Sequence, residues 1–134
     1  MAIQFAVNTR NARLDAIETE IGTAAVLKIW TGSAPANCGS ADSGTELVSM
    51  TLPSDWMAAA ASGAKSKAGT WSGTAGDTGV AGHFRIYDSG GSVCHLQGTV
   101  TITSGGGDME VDNTSIASGQ TVTVTTFTLT DGGA

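Results

Sequence analysis

The spacing of long side chains predicts one helix, close to the N-terminus. A strand-like alternation occupies residues 3–7, after which Asn8 or Thr9 can cap a helix that ends before Gly22, a residue suited to a left-handed C-cap. A helix of about three turns does not persist alone, so we expect it to dock on the rest of the chain or on another subunit. Its inner face follows the spacing i, i+4, i+7, i+11 and consists of Arg10, Leu14, Ile17 and Ile21. Its acidic residues are expected to face away from this stripe: Asp15, Glu18 and Glu20.

From residue 25 onward the apolar period becomes two, which is typical of β-strands. The segment 53–62 stays open between a short helix and a loop, and residues 31–44 form a long loop of turn-forming residues. Many short strands with turns between them predict an all-β fold, a jelly-roll-like β-sandwich in residues 25–134 with an N-terminal arm in residues 1–24. The predicted strands are 25–30, 45–52, 65–73, the two arms of a hairpin within 81–102, 108–111 and 120–130.

The last strand predicts its own irregularity. Val122 and Val124 share one parity, whereas Phe127 and Leu129 share the other. One extra residue near Thr125 and Thr126 would put all four apolar side chains on one face, as in a β-bulge. The alternative is a strand that crosses between two sheets and is buried on opposite faces at its two ends.

The stretch "AGHFRIYDSGGSVCHLQGTV" (residues 81–100) predicts a hairpin with two distinct faces. An even-numbered register pairs Ile86 with Cys94 and Phe84 with Leu96, and leaves a three-residue loop that ends at Gly91. In this register the inner face carries Phe84, Ile86, Cys94 and Leu96, and the outer face carries His83, Arg85, Tyr87, His95 and Gln97.

This division of faces argues against a metal or catalytic centre. Cys94 and His95 are neighbours on a strand, so they project to opposite sides and cannot bind one ion together. We expect no catalytic residue, no metal and no cofactor. The polar residues of the outer face are either a solvated surface or a contact surface for another subunit. With two arginines of the helix, the candidate interface is His83, Arg85, Tyr87, His95, Gln97, Arg10 and Arg13.

Composition and charge narrow the function classes. The 134-residue chain has a net charge of -6, only 5% aromatic residues and 19 glycines. Without a basic stripe, binding to nucleic acid or to an anionic membrane surface is not expected. No secretory signal or membrane span is recognisable, so we expect folding in a cytosol, with Cys38 and Cys94 as free thiols. The alternating "DMEVD" is expected to be a solvated edge strand.

The positions of the three tryptophan side chains have three possible explanations. Trp30, Trp56 and Trp71 are the largest apolar groups of the chain. They are expected in the core, although an exposed platform for sugar stacking or interface anchors would use the same residues.

Several blocks of the chain resemble a family of small proteins encoded by tailed bacteriophages and prophages: "RNARLDAIETEIGT", "GSAPANC" followed by "ADSGTEL", "LPSDWM", "AGHFRIYDSGG" and "GGGDMEVDNTSIASGQTVTVTTFTLTDG". The resemblance implies a structural virion protein and no catalytic motif. We expect a capsid decoration (cement) protein that binds the major capsid protein or other virion subunits as a homo-oligomer. The alternatives are a tail, baseplate or fibre-associated component, and a carbohydrate-binding β-sandwich module.

Overall fold

The computed structural model describes residues 3–132, which form one short helix and a mostly β body. The predicted all-β class with one N-terminal helix is confirmed. The helix α1 spans Val7–Ile21, and the strands are β1 Val26–Thr31, β2 Glu46–Thr51, β3 Ala64–Ser66, β4 Ser72–Thr74, β5 Gly79–Tyr87, β6 Cys94–Ile102, β7 Met109–Val111, β8 Ser115–Ile116 and β9 Thr121–Thr130.

The strands form one curled, mixed sheet. Its order is β2-β1-β5-β6-β7-β9-β3, with β4 added to β9 and β8 added to β5. The pair β6 and β7 is parallel, and the other pairs are antiparallel. Val48 of β2 also bridges Ala75, directly after β4. Because β4 pairs with β9, this bridge brings the two ends of the sheet together around the core.

Aromatic residues fill the space inside this curl. The ring of Trp71 lies 5.9 Å from that of Trp56 and 5.5 Å from that of Phe127, and Phe84 meets Phe127 edge-on at 5.5 Å. Trp30, Trp56 and Trp71 are all buried, as the core interpretation predicts. No tryptophan therefore offers an exposed face for sugar stacking.

The helix docks on its own β body. Leu14 and Ile21 are buried, and Gly22 ends the helix with a positive φ of 89° while its amide donates to the Glu18 carbonyl. Two expectations are wrong. Neither Asn8 nor Thr9 caps the start, because the helix already begins at Val7 behind Ala6. The predicted strand-like alternation before it is therefore replaced in part by the first helical turn.

The acidic residues of the helix also differ from expectation. Asp15 and Glu18 were expected to face solvent, yet their carboxylates lie 2.7 and 2.8 Å from the ammonium of Lys65 on β3. Lys65 is buried and also donates to the carbonyl of Ala58. The Lys65 ammonium and the amide of Ala60 hold the pKa of Asp15 below its usual value. An ion-pair cluster thus joins the helix to the sheet, where the sequence pattern indicated only a solvated face.

The predicted bulge in the last strand is confirmed. Glu110 pairs with Thr126 but Val111 pairs with Val124, so Thr125 is the extra residue. The insertion reverses the parity of the strand. Three of the apolar side chains are buried and the fourth packs against the core: Val122, Val124, Phe127 and Leu129.

The predicted hairpin register is wrong by a shift in its second arm. Ile86 pairs with Leu96 and not with Cys94, and the register shifts so that Tyr87 faces Cys94. The turn is longer than expected, since the amide of Asp88 bonds to the carbonyl of Val93. Gly91 does adopt the predicted positive φ, at 72°. Cys94 consequently lies on the side of Tyr87 rather than in the core.

The structure decides two further segments. Segment 53–62, left open between a short helix and a loop, contains no helix but short bridges from Met57 to Lys67 and from Ala61 to Ala64. The strand β7 is not a solvated edge: it lies between β6 and β9 with Met109 and Val111 buried. Within residues 3–132, no helix is both long enough and apolar enough to span a membrane.

Candidate functional site

The loop between β1 and β2 folds back over the outer face of β5 and β6. Its base is closed by hydrogen bonds between Thr31 and Thr45, from backbone to backbone at 3.0 Å and from the Thr45 amide to the Thr31 hydroxyl at 2.9 Å. Gly32 and Gly44 turn the chain at its two ends with φ values of 76° and 82°. A compact loop with adjoining ends is an Ω loop, a type of segment that often carries function. We call residues 32–45 the β1–β2 loop.

The polar residues that were predicted to face outward lie under this loop. His83, Arg85 and Tyr87 do project to the side of β5 opposite the core, but all three are buried rather than exposed. The expected solvated face is therefore wrong for β5. The outer face of β5 is covered by the β1–β2 loop of the same chain. Sequence periodicity predicts only a loop for that segment and not its position.

Arg85 is the centre of the contact. Its guanidinium pairs with the carboxylate of Asp42 and donates to the carbonyls of Cys38 at 2.8 Å and Ser40 at 3.1 Å. The side chain of Arg85 is only 2% exposed, whereas that of Asp42 is 38% exposed. Burial is the largest single influence and opposes the charge on Arg85, but the hydrogen bond to Asp42 together with Cys94 and Tyr87 raises the pKa of the guanidinium. Arg85 therefore stays a buried cation that gathers the loop around itself.

Tyr87 completes the same cluster. Its hydroxyl donates to the Asp42 carboxylate at 2.5 Å. Burial, with the negative charge of Asp42 beside it, raises the pKa of the phenol well above its ordinary value. Asp42 thus accepts hydrogen bonds from two buried side chains of β5, and its position decides where the loop lies.

The remaining contacts hold the N-terminal part of the loop. The ring of His83 bonds through Nδ1 to the carbonyl of Gly32 at 2.8 Å and stacks on Trp30 with an angle of 10° between the rings. The amide of Gln97 donates to the carbonyl of Pro35 at 2.8 Å. At Gly82 a Cβ atom would lie 2.1 Å from that same Gly32 carbonyl. The backbones here touch so closely that only glycine fits.

An open cavity of about 650 Å³ lies between the loop and the hairpin. Both cysteines line it, Cys38 from the loop and Cys94 from the start of β6, together with Arg85 and Tyr87. Both cysteines are free and half-buried. Burial and the neighbouring Cys38 side chain raise the pKa of the Cys94 thiol to about 11, so this thiol is protonated at neutral pH.

The other predicted interface residues lie elsewhere. His95 lines a groove of about 300 Å³ between α1 and β6, with Arg13 at its rim. Arg10 donates to the backbone carbonyl of Asp131, and Arg13 pairs with the carboxylate of the same residue at 3.0 Å. His95 and Cys94 line different cavities. The two arginines hold the helix against the end of β9.

Exposed apolar side chains concentrate before the helix and at its first residue. Ile3 is 80% exposed, Phe5 is 39% exposed and Val7, the first residue of α1, is 43% exposed. The guanidinium of Arg13 lies over the ring of Phe5 at 4.6 Å, which orients that ring along the helix. Elsewhere in the described chain, the large exposed apolar residues are Val80, Val93 and Ile102.

Sequence reasoning missed the residues that complete the cluster, Asp42 and Cys38. The only local signal was a carboxylate and a thiol within a loop of small residues, and neither has a periodic spacing that predicts a partner. Among residues 3–132, no group of three or more His, Cys, Asp or Glu side chains is arranged to hold a metal ion. The cluster is suited chemically to holding two segments together and to thiol chemistry.

The chain matches no known protein-family profile, and neither a curated protein nor a solved structure is detectably similar to it. The resemblance to phage proteins therefore stays a prediction from the sequence blocks.

Proposed function

We propose that the protein is a structural component of a tailed-phage particle, a decoration protein that binds the major capsid protein and stabilises the shell as a homo-oligomer. In this role it is not an enzyme, and it reaches the virion after synthesis in the host cytoplasm. The observation that carries the proposal is the apolar N-terminal segment, in which Ile3, Phe5 and Val7, the first residue of α1, remain exposed although the helix itself is firmly docked.

Such a segment is suited to binding another protein subunit. Exposed apolar side chains in succession mark interaction sites more often than scattered ones do. Because Arg10, Arg13 and the Lys65 cluster fix the helix, the segment is presented from a rigid base. A low content of charged residues, 13%, and a surface rich in hydroxyl groups also suit a protein packed against neighbours on a particle.

We further propose that the curled sheet is a jelly-roll-like sandwich, with the loop-covered strands β1, β5 and β6 facing β9. The edge-on contact of Phe84 with Phe127 across the core supports this interpretation. An experimental structure in which the β2 and β4 ends form a continuous ladder would favour a closed barrel instead.

The experiment measures binding to purified particles that lack the protein. Wild-type protein is compared with the double variant Ile3→Asp/Phe5→Asp and with Val80→Asp, a control that charges an exposed apolar position elsewhere. We expect wild type and the control to bind heads in hundreds of copies per particle, and the double variant to bind at least about tenfold more weakly, which corresponds to about 1.4 kcal/mol.

The location of the bound protein decides between the alternatives. Binding to tails and not to heads would select the tail, baseplate or fibre component. Equal binding of the double variant would contradict the role of the N-terminal segment. No binding to either particle fraction would overturn the proposal as a whole.

A further inference from the structure

We propose that Cys38 and Cys94 form a reversible disulfide that cross-links the β1–β2 loop to the β5–β6 hairpin. This inference is independent of the proposed function, because it rests only on the geometry of the cavity between loop and hairpin.

The fold brings the two cysteines to the same place from distant parts of the chain. Arg85 donates to the backbone carbonyl of Cys38, and its neighbour on β5, Tyr87, pairs directly with Cys94. Both thiols line the same cavity between the loop and the hairpin. The loop cysteine therefore lies over the hairpin cysteine, held there by the buried guanidinium and by Asp42.

The surroundings permit oxidation. Both cysteines are half-buried, so a small oxidant can enter the cavity, while neither thiol is locked inside the apolar core. The thiol of Cys94 donates to the carbonyl of Leu96 at 3.3 Å, a weak hydrogen bond that a change of rotamer can break. The bulge at the start of β6 is what turns Cys94 to this side of the sheet.

The oxidant is a low-molecular-weight disulfide such as oxidised glutathione. The thiolate of Cys38 attacks one glutathione sulfur, which forms a mixed disulfide and releases one glutathione thiolate. Cys94 then loses its proton, and its sulfur attacks the Cys38 sulfur and releases the second glutathione thiolate. The two protein thiols lose two electrons and two protons, and one glutathione disulfide becomes two thiols. Cys94 is placed in the second step because burial and the neighbouring Cys38 side chain raise the pKa of its thiol.

Cross-linking would change what the loop can do. In the reduced protein, the loop is held by hydrogen bonds and one ion pair, which can open together. A disulfide between residues 38 and 94 removes that freedom and also restricts the unfolded chain. The bond would form when the protein passes from a reducing cytosol to an oxidising medium.

The test equilibrates the reduced wild-type protein in glutathione buffers from fully reducing to fully oxidising, followed by alkylation and mass spectrometry. We expect a monomer that loses about 2 Da, a peptide that joins Cys38 to Cys94, and a Tm higher by about 10 °C. Slower amide exchange in residues 32–45 of the oxidised form would locate the effect in the loop.

The variants Cys38→Ser and Cys94→Ser are the controls, and each should form only a glutathione adduct with no rise in Tm. The proposal is overturned if wild type also gives only adducts, or if its disulfides join two chains. Because wild type supplies the deciding result, poor folding of a serine variant would leave the outcome readable.

Discussion

Removal of the carboxylate that pairs with Arg85 should weaken the whole β1–β2 loop. In Asp42→Asn the shape of the side chain is kept, but the buried guanidinium loses its counter-charge and Tyr87 loses a charged acceptor. Breaking a buried ion pair costs about 3–5 kcal/mol. The carboxylate is 38% exposed, and the carbonyls of Cys38 and Ser40 still accept hydrogen bonds from Arg85. We therefore expect the free energy of unfolding to fall by about 2–3 kcal/mol, and the Tm by about 6–12 °C.

Urea unfolding followed by tryptophan fluorescence, together with thermal unfolding, measures this loss under reducing conditions. Asp55→Asn, which neutralises an exposed carboxylate away from the loop, should stay within about 0.5 kcal/mol of wild type. The double variant Asp42→Asn/Arg85→Met should recover part of the loss, because it removes the unpaired buried cation. A value for Asp42→Asn that equals the control would refute the role of the pair.

Three other perturbations have defined outcomes. Gly82→Ala should lower the free energy of unfolding by about 2 kcal/mol or more, because its Cβ would lie 2.1 Å from a backbone carbonyl oxygen. The control Gly76→Ala, with no atom near its Cβ, should be close to neutral in urea unfolding. Lys65→Met should cost about 2–4 kcal/mol by leaving two carboxylates without their cation, and a loss below about 0.5 kcal/mol would contradict the cluster. Folding raises the pKa of Cys94 from 9.0 to about 11, so the contribution of its protonated thiol to the free energy of unfolding is fully present below pH 9 and should be lost as the pH rises to about 11. In Cys94→Ser, the unfolding midpoint should therefore decline less steeply over this pH range.

Strand periodicity predicted the faces of β5 correctly but not what covers them. Alternation is a property of the extended backbone, so Phe84 and Ile86 on one side and His83, Arg85 and Tyr87 on the other follow from sequence alone. Exposure depends instead on distant chain. The loop covers this face because Asp42 and several backbone carbonyls satisfy the buried polar groups, and none of these contacts has a local spacing.

The hairpin register shows a second limit of parity. Each arm was assigned a consistent alternation, yet one shifted position at the start of β6 moves Cys94 from the inner to the outer side. In β9 the four apolar residues of mixed parity did predict an extra residue near Thr125 and Thr126, and the structure shows that it is Thr125. A bulge can be predicted from sequence when apolar residues lie on both sides of it, because their parity then changes. Cys94 is a small residue at the end of a strand, so no such change of parity marks the bulge beside it.

The sequence by itself determined the β class, the single helix and its glycine end, the inner face of β5 and the bulge of β9, because each depends on the periodicity of a continuous segment. Only the tertiary structure decided that the polar face of β5 is buried, that Asp15 and Glu18 turn inward to Lys65, and that the two cysteines share a cavity. These outcomes depend on pairing charges and hydrogen-bonding groups that lie tens of residues apart. A buried charged or polar group needs a hydrogen-bonding or charged partner, and local sequence patterns do not predict where in the chain that partner lies.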